Sequence, residues 1–296
     1  MPARSAWHGC HVYRSEPAPL PEPLPFPIAD SHTHFDLVDV FGSEEELPTP
    51  APDAPEVLAR LAEAEAAGVA RVVQVGTDVA SSGWAAALAD ADARVLAAAA
   101  LHPNEAPRLA DLDAALSAID ELAALPRVAA LGETGLDYFR TDEAGRAAQQ
   151  RSFRAHIEIA KRRGKTLVIH DRDAHEDVLS ILDAEGAPDR VVLHCFSGDF
   201  AFAKECARRG FFMSFAGNVT FKNAQNLRDA ASAAPAELVL VETDAPFMAP
   251  IPVRGYRNHP ALVNYTARFL AEYLERDLEA WCERLWRNTE AAFGDW

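Results

Sequence analysis

The chain has 296 residues, 49% hydrophobic and 25% charged, enough for one large domain with a full core. Its net charge is −17, from 28 basic against 45 acidic side chains. Such a surface repels a nucleic-acid backbone and excludes broad, sequence-independent duplex binding; a polyanionic substrate would have to meet a local basic or metal-bearing site.

Cys10, Cys195, Cys206 and Cys282 are scattered and form no Cys-x-x-Cys pair, which argues against a zinc knuckle and against a disulfide framework. Reduced thiols, and no apolar run of about 18 residues, lead to the expectation of a cytoplasmic protein without a transmembrane helix. Met1 to Pro27 lacks the apolar core of a signal peptide. Its prolines (Pro17, Pro19, Pro21, Pro23, Pro25 and Pro27) read as an extended or disordered arm. A reading frame begun too far upstream would explain it equally. The expected organisation is an arm over 1–27 and a single domain over 28–296, since no linker-like stretch divides the middle.

After the arm, short aliphatic runs alternate with Ala/Leu/Glu-rich stretches of helical spacing. Strands are expected at Ile28–Asp30, Val69–Val75, Val95–Ala100, Val128–Leu131, Thr166–Ile169, Arg190–Leu193, Phe211–Phe215 and Leu238–Val241. Helices are expected near Pro55–Ala67, Ser81–Ala91, Leu109–Ala124, Thr141–Arg163, Ala174–Ala184, Phe200–Arg209 and Lys222–Ala233. Two more, Ala261–Glu275 and Leu278–Phe293, close the chain. Gly68, Gly164, Gly186 and Gly210 each follow a helical stretch, where a C-terminal glycine belongs. Strand–helix alternation over roughly eight units predicts a (β/α)8 TIM barrel with extra C-terminal helices. The rival is an open doubly wound sheet, but His-Thr-His stands where its Gly-x-Gly-x-x-Gly would follow the first strand.

A barrel puts its chemistry just past the C-terminal ends of its strands. Those positions here hold His32 and His34, then His102, then Glu133 and Asp137. His170-Asp171-Arg172, His194-Cys195, Gly217-Asn218 and Glu242-Thr243-Asp244 follow in turn. His-x-His on an extended strand turns both imidazoles to one side, and neutral imidazole is a ready metal ligand. Either histidine alone could be incidental; metal-competent residues after six or more strands point to a shared cation site.

These stretches also carry a resemblance. Asp30-Ser31-His32-Thr33-His34, Gly132-Glu133-Thr134-Gly135-Leu136-Asp137-Tyr138, Gln150-Arg151-Ser152-Phe153, His194-Cys195-Phe196-Ser197-Gly198, Glu242-Thr243-Asp244-Ala245-Pro246 and Arg254-Gly255-Tyr256-Arg257-Asn258-His259-Pro260 resemble, in order, the motifs of the TatD family of metal-dependent hydrolases. The proline-rich arm lies outside that pattern, and the Phe41–Pro52 first loop is longer than usual. The resemblance implies two divalent metal ions, of which Mg, Mn and Zn are the candidates. His32, His34 and Asp244 would hold one ion and His170 and His194 the other, with Glu133 bridging both. It further implies a water acidified towards hydroxide as nucleophile, with Asp244 accepting its proton.

Each remaining assignment has a plainer rival. His102 is expected to contact a substrate phosphate, against a structural hydrogen bond. Arg172 is placed to meet a phosphate oxygen, against an ion pair with Asp171 or Asp173. Glu242 is expected on the substrate side or behind a ligand, against a strand-end structural role. Arg254 and Asn258 either cap the pocket or tie down the C-terminal helices. Asp137 is expected to orient a histidine, and Cys195 to pack. Asn218-Val219-Thr220 is a glycosylation sequon without meaning unless the chain is secreted.

The resemblance implies a deoxyribonuclease taking nucleotides from a 3′ end, with DNA ends or short single strands as substrate and no obligate protein partner. The same metals could hydrolyse another ester or amide, including an aminoacyl-tRNA ester. A metal-stabilised scaffold without catalysis is the non-enzyme alternative.

Overall fold

The computed structural model describes residues 13–14, 16–39, 48–294 and 296. Cys10 and residues 41–47 of the first loop lie outside the described residues. The strands are β1 (Ile28–Thr33), β2 (Val69–Val75), β3 (Val95–Ala99), β4 (Val128–Asp137), β5 (Thr166–Arg172), β6 (Val191–Leu193), β7 (Phe212–Phe215) and β8 (Val239–Val241). The helices are α1 (Phe35–Val38), α2 (Pro55–Ala66), α3 (Val79–Ala91), α4 (Leu112–Ala123), α5 (Glu143–Arg163), α6 (His175–Glu185), α7 (Phe200–Arg208), α8 (Gln225–Ala233), α9 (Val263–Tyr273) and α10 (Leu278–Phe293).

All neighbouring strands pair in parallel, in the order β1 to β8. The ring rejoins itself through a parallel bridge between Thr33 and Ala245. There Asp244 N–H donates to the His32 carbonyl at 3.0 Å, and His34 N–H to that of Ala245 at 2.9 Å. The fold is therefore a (β/α)8 barrel with α9 and α10 added at the end.

The strands read as apolar runs because both their faces are buried. Val73, Val75, Leu96, Ala98, Val168, Val192, Phe212 and Leu240 fill the interior, and Ala292 and Phe293 at the end of α10 pack beneath them. Val72, Val95 and Ala97 point outward against α2 and α3; Leu167, Ile169, Val191 and Leu193 point outward into the larger helix-side core. Several helices open on a carboxylate that accepts a backbone N–H, as Asp78, Asp111, Asp142, Asp199 and Asp277 do.

Three strands run further than their apolar residues. β1 continues to Thr33, β4 to Asp137 and β5 to Arg172. β4 and β5 stay paired past the rim, with Gly135 opposite His170 and Asp137 opposite Arg172. Only glycine permits this approach: Gly135 has φ +132°, and a Cβ there would sit 2.1 Å from the His170 carbonyl oxygen.

The described part of the arm is extended and fastened down. Leu24 is buried, and its N–H donates to the Ala67 carbonyl at 3.3 Å. Asn264 Nδ2 donates to the Glu22 carbonyl at 2.9 Å, and Arg268 to those of Glu22 and Pro23 at 3.0 Å. Gly68 (φ +86°) lets the β2 entry turn pass under this segment, since a Cβ there would meet Leu24 Cβ at 2.9 Å. No helix among the described residues is long and apolar enough to cross a membrane.

Candidate metal centre

The two-residue repeat of a strand builds the site. One step beyond the inward-facing Val168, Val192 and Leu240 stand His170, His194 and Glu242, so an aliphatic interior layer is capped by a polar one. β1 adds His32 and, just beyond it, His34; β4 adds Glu133. The turn after β8 adds Asp244, at φ +51°, and the turn after β6 places Cys195 at φ +39°. Such backbone is costly for non-glycine residues and is held here by its surroundings. Cys195 N–H donates to Glu242 Oε1 at 2.7 Å. Asn258 Nδ2 donates to the Thr243 carbonyl at 2.8 Å and also to that of Phe247, which pins the turn carrying Asp244.

Glu133 is the centre of the cluster. Its Oε1 lies 2.6 Å from His170 Nδ1 and 2.8 Å from His194 Nε2; its Oε2 lies 3.6 Å from His32 Nε2 and 3.8 Å from His34 Nε2. His34 Nε2 is also 3.7 Å from Asp244 Oδ1. Three overlapping groups could each hold an ion: His32, His194 and Asp244; His32, His34 and Glu133; and His102, Glu133 and His170. All six residues named as ligands from the sequence thus meet at one mouth. Most are buried; the His170 and Asp244 side chains, 16% and 13% exposed, are where the cluster meets solvent.

The donor set fits cations. His32 Nε2 and His34 Nε2 face each other at 3.3 Å. Two nitrogens about 2.0–2.1 Å from one tetrahedral ion stand about 3.3 Å apart. His34 Nδ1–H donates to the Val75 carbonyl at 2.9 Å, leaving the Nε2 lone pair for the cluster. His194 Nδ1–H donates to Glu242 at 3.2 Å, with the same effect. His32 Nδ1 is buried without a hydrogen-bond partner.

Charge follows from this packing. Burial opposes ionisation of Glu133, yet His194, His102 and His170 hold its carboxyl well below the usual range. Burial likewise opposes a charged His34, but Asp244, Glu133 and Asp36 raise it to about 9. His194 is pushed well upward by Glu133 and Glu242 against its burial. His32 moves down, through burial and the charge of His194. Burial and the carboxylates Asp244, Glu242 and Glu133 push the Cys195 thiol up. That leaves Cys195 a poor nucleophile and accords with the expected packing role.

Two of the expected substrate contacts sit elsewhere. His102 is fully buried. Its Nδ1 accepts the Asn104 N–H at 3.0 Å, so the neutral ring carries its proton on Nε2, 3.2 Å from Glu133 Oε1. It therefore sits beside the central carboxylate and does not reach the rim. Glu242 is also fully buried, behind His194. It orients the His194 ring and is shielded from solvent.

Arg172 ends β5, two residues beyond His170, and Arg254 lies in the loop after β8. Arg172 lies over Phe139 at 4.0 Å, with no ion pair to Asp171 or Asp173; Arg254 is exposed and lies over Phe221 at 4.1 Å. Asp137 Oδ2 lies 3.3 Å from His170 Nε2, on the far side of the ring from Glu133.

Several supporting residues carried no sequence signal. Asn104 Nδ2 donates to Asp137 Oδ2 at 3.0 Å, and Gln149 Oε1 accepts the Asp137 N–H at 3.0 Å. Asp30 belongs to the first motif, but its task is visible only in space: its carboxylate accepts from Thr243 N–H at 2.8 Å and ties β1 to the turn after β8.

Comparison with known proteins agrees with this geometry. The profile of the TatD related DNase family matches residues 29–294. The metal-dependent hydrolase TatD of Mycobacterium tuberculosis, itself uncharacterized, is 44% identical over 271 residues, covering 90% of this chain and 98% of that protein. YabD of Bacillus subtilis, another metal-dependent hydrolase, is 40% identical over 229 residues, covering 77% and 87%. Among solved structures, the TatD homologue YjjV of Escherichia coli superposes with a TM-score of 0.78 at 27% identity, covering 90% of this chain and 97% of that one. A ring of buried histidines around one carboxylate, on this barrel and with these relatives, places the chain in the TatD family of metal-dependent hydrolases.

Proposed function

We propose that the chain is a deoxyribonuclease that removes nucleotides from the 3′ end of DNA, using two divalent metal ions. The observation that carries this reading is Glu133. It stands between His32 and His34 on one side and His170 and His194 on the other, its oxygens 2.6–3.8 Å from their ring nitrogens. One carboxylate touching both sets suits two cations, whose mutual repulsion needs an anion between them.

His32, His34 and Asp244 would hold one ion and His170 and His194 the other, with Glu133 shared. Bound there, divalent cations supply Lewis acidity, acidifying water and polarising a phosphoryl oxygen. The chain's own groups do the rest. Asp244, at the solvent edge of the cluster, accepts the proton of the attacking water. His102 packs beside Glu133, its Nε2 3.2 Å from Oε1. Arg172 at the end of β5 and Arg254 in the loop after β8 give a net-acidic protein local positive charge, suited to a strand end and not to a long duplex. The family description, a DNase, supports the choice of substrate.

The test is a substrate panel with purified protein in Mg2+, Mn2+ or Zn2+: single-stranded DNA with free or blocked 3′ ends, duplex, RNA and aminoacyl-tRNA. Mononucleotides released only from free 3′ ends are expected. Hydrolysis of an aminoacyl ester with DNA left intact would overturn the reading.

A further inference from the structure

Phe139 is 64% exposed, the most exposed of the large hydrophobic side chains among the described residues. It stands two residues beyond Asp137, which touches His170. Tyr138 N–H donates to the Arg172 carbonyl at 2.9 Å, so the ends of β4 and β5 lie side by side at the rim. The Arg172 guanidinium lies over the Phe139 ring at 4.0 Å from its centroid. No carboxylate pairs with Arg172 among the described residues. The neighbouring Tyr138 is engaged differently: its hydroxyl donates to Asp177 at 2.6 Å and accepts from Gln150 at 2.8 Å, and Arg146 lies over its ring at 4.2 Å. The Arg254–Phe221 pair also differs, since Phe221 packs against the core.

We propose that Phe139, backed by Arg172, is a stacking platform for a nucleobase at the single-stranded end whose phosphodiester lies at the metal centre. This rests on the deoxyribonuclease reading and adds the group that would grip the strand. An aromatic face held by a guanidinium is the usual way to hold an unpaired base without reading its sequence. A large phenyl ring kept in water beside a phosphate-binding mouth has no packing role to fill. The unpaired charge of Arg172 complements the phosphates flanking the base.

The experiment compares wild type with Phe139→Ala, Phe139→Leu and Phe139→Trp. Exposure makes all three substitutions tolerable to the fold. On single-stranded DNA, Phe139→Ala raises KM about 5- to 150-fold, the span of one base–aromatic stack, and leaves kcat within about two-fold. Phe139→Leu behaves like the alanine variant, and Phe139→Trp restores binding. On a strand with abasic terminal nucleotides, wild type and Phe139→Ala are equal. Arg172→Gln weakens both strands alike.

Binding is read separately with a phosphorothioate strand carrying 2-aminopurine at its last position, in Mn2+. Wild type quenches its fluorescence and Phe139→Ala does not. Cleavage of DNA with an unchanged KM in Phe139→Ala, or equal losses on normal and abasic strands, overturns the platform and leaves the nuclease reading standing. Quenching that depends on Phe139, in a protein that hydrolyses no nucleic acid, keeps the platform and overturns the nuclease reading.

Discussion

Replacing Glu242 by glutamine separates a residue that orients a metal ligand from one that binds substrate. The carboxylate is fully buried. Oε1 accepts His194 Nδ1–H at 3.2 Å and Cys195 N–H at 2.7 Å, while Oε2 is buried without a hydrogen-bond partner. Glutamine keeps the shape and one acceptor. It removes the negative charge behind His194 and buries an NH2 where Oε2 had no partner. Charge-assisted hydrogen bonds contribute about 1.5–3 kcal/mol, and losing a carboxylate behind a ligating histidine typically costs 10- to 100-fold in metal affinity, about 1.4–2.7 kcal/mol. Competition against a chelating dye should therefore show Glu242→Gln binding its metals about 10- to 100-fold more weakly. With metal at saturation, KM for single-stranded DNA should stay within about two-fold of wild type. Unchanged metal affinity together with a raised KM would return Glu242 to the substrate side and refute the geometric argument.

Glu133→Ala removes the carboxylate common to both sets of histidines and should abolish turnover in every metal; near-normal activity would mean that the site has been wrongly built. Asp244→Asn should lower kcat by about 10²-fold or more while metal content, measured by elemental analysis, stays largely intact. His156 is buried and neutral, donating from Nδ1 to the Ser152 carbonyl at 2.7 Å and accepting the Leu101 N–H at 3.1 Å. Burial lowers it from 6.5 to about 4. Its stabilisation is thus complete above pH 6.5 and lost as the pH falls towards 4, about 3 kcal/mol in all. Urea unfolding of His156→Gln should lack that part of the acid-side slope, and an identical slope would count against it. Leu24→Ala, on the arm, should lower the unfolding free energy by about 2–3 kcal/mol and leave kcat untouched; a change in kcat with full stability would reveal a catalytic role for the arm.

The order of elements was legible in the sequence because a parallel barrel buries both faces of every strand. Each strand is then an aliphatic run, and each run is followed by a helix-spaced stretch. That His32, His34, His102, Glu133, Asp137, His170, His194, Glu242 and Asp244 would be neighbours was legible because a barrel brings the C-terminal ends of its strands to one face; only the family resemblance singled out His32, His34, Glu133, His170, His194 and Asp244 as a ligand set. The arm read as extended or disordered; that its described part is fastened depends on Asn264 and Arg268, more than 200 residues away.

Tertiary contacts alone decided the rest. β1, β4 and β5 outrun their apolar residues because pairing across the rim, and the close approach allowed by Gly135, holds polar residues in strand geometry where hydrophobic pattern falls silent. The tasks of His102 and Glu242 turn on which atom each engages. Backbone N–H groups of Asn104 and Cys195 occupy one side of each, and main-chain donors leave no mark on the identity of distant residues. Residue type determined what chemistry could assemble at the mouth; packing determined which atoms face the cations and which stand behind them.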